Sequence, residues 1–204
     1  MTSKLSIPET LGTQLLGEVL DSFAPDERHP LRILDLGPAC GATVAFFSRY
    51  RCTLRFADLA PAQLCFRHDA DDERGQREAW IEHLRPQLDL PANSRFDLCL
   101  FWDLLNHLDE EGVRALGALL SPHLHSASCG HGFAVHNRGA VLHHRSYGIL
   151  DTGQLMITGQ DSALRLRHPH PQSALNSLLG CLTVKRSVLR SDGRLEMSLS
   201  HGVC

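Results

Sequence analysis

No apolar run in this chain approaches the ~20 residues that a bilayer-spanning helix needs. The first residues carry one early lysine and no long apolar core, so they do not read as a secretory leader. No CxxC pair occurs among the seven cysteines, which lie scattered at 40, 52, 65, 99, 129, 181 and 204. An odd, dispersed set of this kind reads as reduced thiols, mostly packing residues, in a cytoplasmic protein. An excess of positive charge is also missing. Lys and Arg number 20 against 23 Asp and Glu, a net charge of -3, so a broad nucleic-acid-binding surface is not expected, and neither is a membrane partner. Internal repeats, low-complexity tracts and long linkers are absent too. The 204 residues therefore read as one domain, 1–204, long enough to bury a sizeable core.

Histidine is plentiful, at 13 residues. The pairs His123 and His125, His143 and His144, and His168 and His170 have no acid or cysteine partner at metal-site spacing. The expectation is exposed histidines and no metal. Asp69, Asp71, Asp72 and Glu73 lack the glycine turn and regular spacing of a cation loop, and read as solvated surface.

Hydrophobic periodicity orders the chain. Ser6-Ile7-Pro8-Glu9 has the form of a capping box. Leu11, Leu15, Leu16, Val19, Leu20 and Phe23 follow at helical spacing, and Ala24-Pro25-Asp26 ends the element. This predicts a helical cap over residues 1–30. Strands are expected at 31–36 and from Cys52 to Asp58, with a helix over 41–50 between them. A helix follows at Gly75–Leu84. Leu98-Cys99-Leu100-Phe101-Trp102 is an unbroken apolar run, the mark of a fully buried strand. A helix from Asp109 is stopped by Pro122, and Cys129–His136 reads as a strand. Residues 137–172 read as an insertion with two short strands, Tyr147–Leu150 and Gln154–Ile157. Ser173–Gly180 is a helix candidate. Leu182–Arg190, the turn Ser191-Asp192-Gly193 and the alternating Leu195, Met197 and Leu199 make a hairpin. Leu64-Cys65-Phe66 fits a strand or a helical turn. Strands alternating with helices imply an α/β sandwich around a largely parallel sheet.

The densest signal is Leu34-Asp35-Leu36-Gly37-Pro38-Ala39-Cys40-Gly41. A buried strand ends at an acid, a tight turn follows, and a helix opens. Glycine there lets a ligand approach the backbone, which makes this junction a nucleotide-type cofactor site. Pro38 has no N–H to offer a phosphate. Asp35 would repel one: like charges about 4 Å apart cost roughly 4 kcal/mol at an effective dielectric near 20. The same carboxylate attracts a cation. A strand-to-helix turn without ligand remains the alternative. Cys40 in the loop reads as a small packing residue.

On these residues the chain resembles the class I S-adenosylmethionine-dependent methyltransferases. Their first motif is an apolar strand, an acid and a glycine-rich turn, with Ala39 standing where the family usually has its middle glycine. The resemblance implies a Rossmann-like three-layer α/β sandwich with a mostly parallel seven-stranded sheet, whose third strand has no clear counterpart here, and a C-terminal antiparallel hairpin. It implies S-adenosylmethionine as cofactor, held by Asp35, Gly37, Pro38, Ala39 and Gly41, with Asp58 at the second strand end on the ribose hydroxyls. Trp102 and Asp103 would line the sulfonium and acceptor pocket, and Asp103 and His107 would be the catalytic candidates, His107 as base. The acceptor is unspecified, with a small molecule favoured, and residues 137–172 would lie near it. Two rivals stand beside this reading: a non-catalytic relative that binds cofactor or a partner, and an NAD(P)-binding oxidoreductase of similar topology.

Overall fold

The computed structural model describes residues 8–23, 29–59, 64, 66, 70–135, 141–165 and 168–202. Its elements in chain order are β1 (Glu9–Gly12), α1 (Leu15–Asp21), β2 (Leu31–Asp35), α2 (Gly41–Phe47), β3 (Cys52–Phe56), α3 (Glu73–Leu88), β4 (Leu98–Trp102), α4 (Glu110–Leu120), β5 (Cys129–Val135), β6 (Val141–Asp151), β7 (Gln154–Arg165), α5 (Gln172–Leu178), β8 (Leu182–Leu189) and β9 (Arg194–His201).

Six strands form the central sheet in the order β3-β2-β4-β5-β9-β8. β2, β3, β4 and β5 run parallel, whereas β9 pairs antiparallel with both β5 and β8. The sheet is thus Rossmann-like and mostly parallel, as the pattern implied. It has six strands instead of seven, because no strand forms among the described residues between β3 and β4. Leu64 lies in a turn; Cys65 is outside the described residues.

Successive residues of the buried strands point to opposite faces. Leu34, Cys99, Phe101 and Ala134 join α3, α4 and α5 in one core. Ile33, Leu98, Leu100, Trp102 and Phe133 join α1 and α2 in the other. The second core also takes in Tyr147, Ile149, Leu155 and Ile157, from β6 and β7. β6 and β7 are far longer than the short strands expected, and with β1 they make a separate antiparallel sheet in the order β1-β7-β6. The insertion is therefore part of a layer and not a surface loop.

The N-terminal expectation needs correction. Ser6 and Ile7 of the capping box lie outside the described residues, as do Ala24, Pro25 and Asp26, and Glu9 belongs to a strand. Backbone pairing to β7, with Glu9 opposite Ile157, overrides the helical spacing. Helix α1 starts only at Leu15, and its cap comes from the far end of the chain. Glu196, fully buried on β9, accepts from the backbone amides of Gln14 at 3.1 Å and Leu15 at 2.8 Å and from the Thr13 hydroxyl.

The histidine expectation is corrected in part. His123 is buried with Nδ1 at 2.9 Å from Ser94 Oγ, and His170 is buried with Nε2 donating to the Leu108 carbonyl at 2.8 Å. In the acidic cluster, Asp69 is outside the described residues, and Asp72 caps α3 by accepting from Gly75 N at 2.6 Å. Cys99 and Cys181 are buried, and burial holds the Cys99 thiol well above its ordinary value.

Candidate functional site

Strands β2, β3 and β4 end side by side, and their C-terminal ends are where an open α/β sheet places a ligand. The backbone locks the first two ends together. Ala57 N donates to the Asp35 carbonyl at 2.8 Å, Asp58 N to the Gly37 carbonyl at 3.2 Å and Leu59 N to the Leu36 carbonyl at 3.0 Å. These bonds set Asp58 beside the glycine turn. Asp58 is exposed and has φ +48°, a left-handed conformation that aspartate tolerates better than most residues.

Asp35 is fully buried. Its Oδ1 accepts from Gly37 N at 2.9 Å and from the indole Nε1 of Trp102 at 2.6 Å. Its Oδ2 is buried and meets no donor among the described residues. Burial pushes the carboxyl up to about 7, against the opposing effect of the Trp102 and Gly37 hydrogen bonds. A buried acid with one oxygen unanswered is a costly feature unless a further donor arrives.

Trp102 ends β4 with φ +48°. For a bulky residue this is a true outlier, with a cost of about 1–3 kcal/mol. The twist aims the ring across the strand ends onto Asp35. The indole also covers Gly37: a Cβ built there would stand 2.8 Å from Trp102 Cδ1. Glycine is thus required at 37 by a side chain of the protein itself, a role that the sequence pattern alone assigned to a ligand.

The indole also stacks on Tyr147 of β6, with centroids 5.1 Å apart and planes 2° from parallel. Tyr147 in turn stacks on Phe133 at 5.5 Å. The Tyr147 hydroxyl donates to Asp103 Oδ2 and accepts from Arg194. Arg194 also approaches Asp103 Oδ1 at 3.4 Å and pairs with Asp192 at 2.6 Å. Burial, followed by the neighbouring Asp103 charge, holds the Tyr147 hydroxyl well above its ordinary value, so it stays protonated. Asp103 has both carboxylate oxygens engaged and acts as a strut for Tyr147 and Arg194. Asn106 ties the turn Leu104–His107 to β5, donating to the Phe133 carbonyl at 3.0 Å and accepting from Val135 N at 2.9 Å.

A cavity of about 160 Å³ opens over these strand ends. Gly37, Pro38, Asp58, Trp102, Asp103 and His107 all line it, together with Arg145, Ser146 and Tyr147 of β6. Asp35 lies beneath, reached through Trp102 and Gly37. Ala39 and Gly41 are exposed and do not line it. No local pattern announced Tyr147, Arg145 or Arg194, which arrive from distant hairpins. The hairpin sits tight on the glycine loop, since a Cβ on Gly148 would stand 2.6 Å from Cys40 Sγ.

No family model and no curated protein matches the chain. Among solved structures it is similar to the glycopeptide N-methyltransferase MtfA, crystallised with S-adenosylmethionine: 13% identity, 92% of this chain and 94% of that one, TM-score 0.48. It is also similar to the 1,6-didemethyltoxoflavin-N1-methyltransferase of Burkholderia thailandensis, solved with 1,6-didemethyltoxoflavin and S-adenosylhomocysteine: 17% identity, 86% and 73% covered, TM-score 0.46. A TehB-like S-adenosylmethionine-dependent methyltransferase from Corynebacterium glutamicum gives 12% identity, 92% and 87% covered, TM-score 0.46. Likenesses this remote fix neither the family nor the activity of this chain. No helix among the described residues is long and apolar enough to cross a membrane.

Proposed function

We propose that the chain is an S-adenosylmethionine-dependent methyltransferase acting on a small molecule. The observation that carries this reading is the buried Asp35 carboxylate, with one oxygen unanswered, beside Gly37 and one strand away from the exposed Asp58. Two acids at adjacent strand ends suit a ligand with a cationic end and a diol. Asp35 would hold the cationic amino-acid end, and Gly37, Pro38, Ala39 and Gly41 would shape the loop around it. Asp58 would accept from the ribose hydroxyls.

When bound, the cofactor would supply a methyl group on a good leaving group. The chain's own task is alignment, and positioning alone is worth ~7–11 kcal/mol. Residues from β6 would form the acceptor side, with Arg145 and Tyr147 in the wall. His107 lines the same cavity and would take the acceptor's proton. Asp103 would hold the wall in place through Tyr147 and Arg194.

One observation favours the rival reading of a binding protein without turnover: both carboxylate oxygens of Asp103, a catalytic candidate, are already engaged by Tyr147 and Arg194. Mass spectrometry of small molecules released from the purified, denatured protein tests both, when followed by methyl transfer assays over a panel of small acceptors. Recovery of S-adenosylmethionine or its demethylated product with transfer supports the enzyme. Recovery without transfer to any acceptor favours the binder, and recovery of NAD(P) overturns both.

A further inference from the structure

We propose that Trp102 is the latch of this site: its indole closes on Asp35 and Gly37, and S-adenosylmethionine enters only as the ring swings away. This rests on the cofactor reading above.

Three contacts hold the closed position. Indole Nε1 donates to Asp35 Oδ1 at 2.6 Å. The ring covers Gly37 so closely that a Cβ there would stand 2.8 Å from it. The ring also stacks parallel to that of Tyr147, with centroids 5.1 Å apart. Asp35 Oδ2 has no donor among the described residues but is buried, so a ligand reaching this acid competes with the ring for Oδ1 and for the backbone of Gly37.

The closed state is also poised to open. Trp102 carries φ +48°, which a bulky residue adopts only when its surroundings force it. A ligand ammonium on Asp35 makes a charge-assisted bond, stronger than that from a neutral indole. Tyr147 stays fixed by Asp103 and Arg194, so a platform remains when the ring leaves. The cavity of about 160 Å³ falls below the ~300–1,000 Å³ of ordinary ligand clefts, and removal of the indole enlarges it. A protein closed most of the time binds more weakly by the fraction of time it is open.

The test uses S-adenosylhomocysteine with the wild type, Trp102→Phe and Trp80→Phe. Phenylalanine at 102 keeps a ring on Tyr147 but loses the donor to Asp35. It should bind about tenfold more tightly than the wild type, the scale of one bond to a charged group. The chain has two tryptophans, so Trp80→Phe leaves Trp102 as the sole emitter. Its fluorescence should change on binding, with an observed rate that levels off at high ligand. Calorimetric binding by the wild type, with equal or weaker affinity in Trp102→Phe and unchanged Trp102 emission, overturns the latch and leaves the cofactor reading standing. Absence of binding in all three chains overturns both.

Discussion

The indole of Trp102 donates to the buried carboxylate of Asp35 at 2.6 Å, joining the ends of β4 and β2. This bond and that from Gly37 N oppose the burial that raises the Asp35 carboxyl, without cancelling it.

Stability should respond to Asp35 with a definite sign. Its carboxyl is raised to about 7 in the folded chain from 3.8. The folded state thus keeps a proton that the unfolded state has lost, and the contribution present at acid pH declines as pH rises from about 4 to about 7. The slope is at most ~1.4 kcal/mol per pH unit. Urea unfolding at pH 5 and pH 8 should show this decline in the wild type and a flatter dependence in Asp35→Asn. Equal slopes would place Asp35 in an ordinary, ionised state.

Gly37→Ala should destabilise by about 1–3 kcal/mol, because the added methyl meets the indole at 2.8 Å. Trp102→Leu should recover part of the loss, and a double-mutant cycle over the pair should give a coupling of roughly 0.5–3 kcal/mol. Zero coupling would mean that the ring and the turn do not touch.

Glu196 makes a different prediction. Burial alone would raise its carboxyl, but bonds from His131, Thr13 and the Gln14 and Leu15 amides more than offset this and hold it far below the carboxylate range. Its contribution is present above the unfolded value near 4.5 and is lost as pH falls through the depressed folded value. Glu196→Gln should cost about 3–5 kcal/mol, since Arg190 loses its buried partner at 3.1 Å and α1 loses its cap. Chemical denaturation at neutral pH measures it, and a loss below about 1 kcal/mol would mean the cap is dispensable.

Asp58→Asn keeps a side chain that tolerates φ +48° and removes the charge. It should leave the unfolding midpoint nearly unchanged, as expected for an exposed position. Affinity for S-adenosylhomocysteine should fall about tenfold, through loss of charge-assisted bonds. Wild-type affinity in the folded variant would move the ribose away from β3.

His107→Ala should lower turnover on the true acceptor while leaving cofactor affinity nearly intact. Unchanged turnover where chemistry limits the rate removes the base assignment only.

The core of the fold was readable because buried parallel strands need continuous apolar runs. Leu31–Asp35 and Leu98–Trp102 therefore declared themselves, and with them the cavity-lining positions Gly37, Asp58, Asp103 and His107. What escaped is non-local. Glu9–Gly12 shares its letters with a helical pattern, and only pairing with β7 makes it a strand. The cap on α1 comes from Glu196, which no reading of the first residues can supply. Tyr147 reaches the site because β6 lines the cavity, and Arg194 because β9 runs antiparallel to β5 and begins opposite Val135 at the same end of the sheet, consequences of topology and not of any local motif. The engagement of Asp35 by Trp102 was hidden for the same reason, since it depends on an unusual backbone angle at a strand end.

Calorimetric titration of the wild-type chain with S-adenosylmethionine at pH 6 and pH 8 decides whether this site holds the cofactor. Binding should be saturable and should strengthen with pH, as Asp35 ionises through about 7, and this pH dependence should vanish in Asp35→Asn. No heat at millimolar ligand at either pH, from a chain shown to be folded, would contradict it.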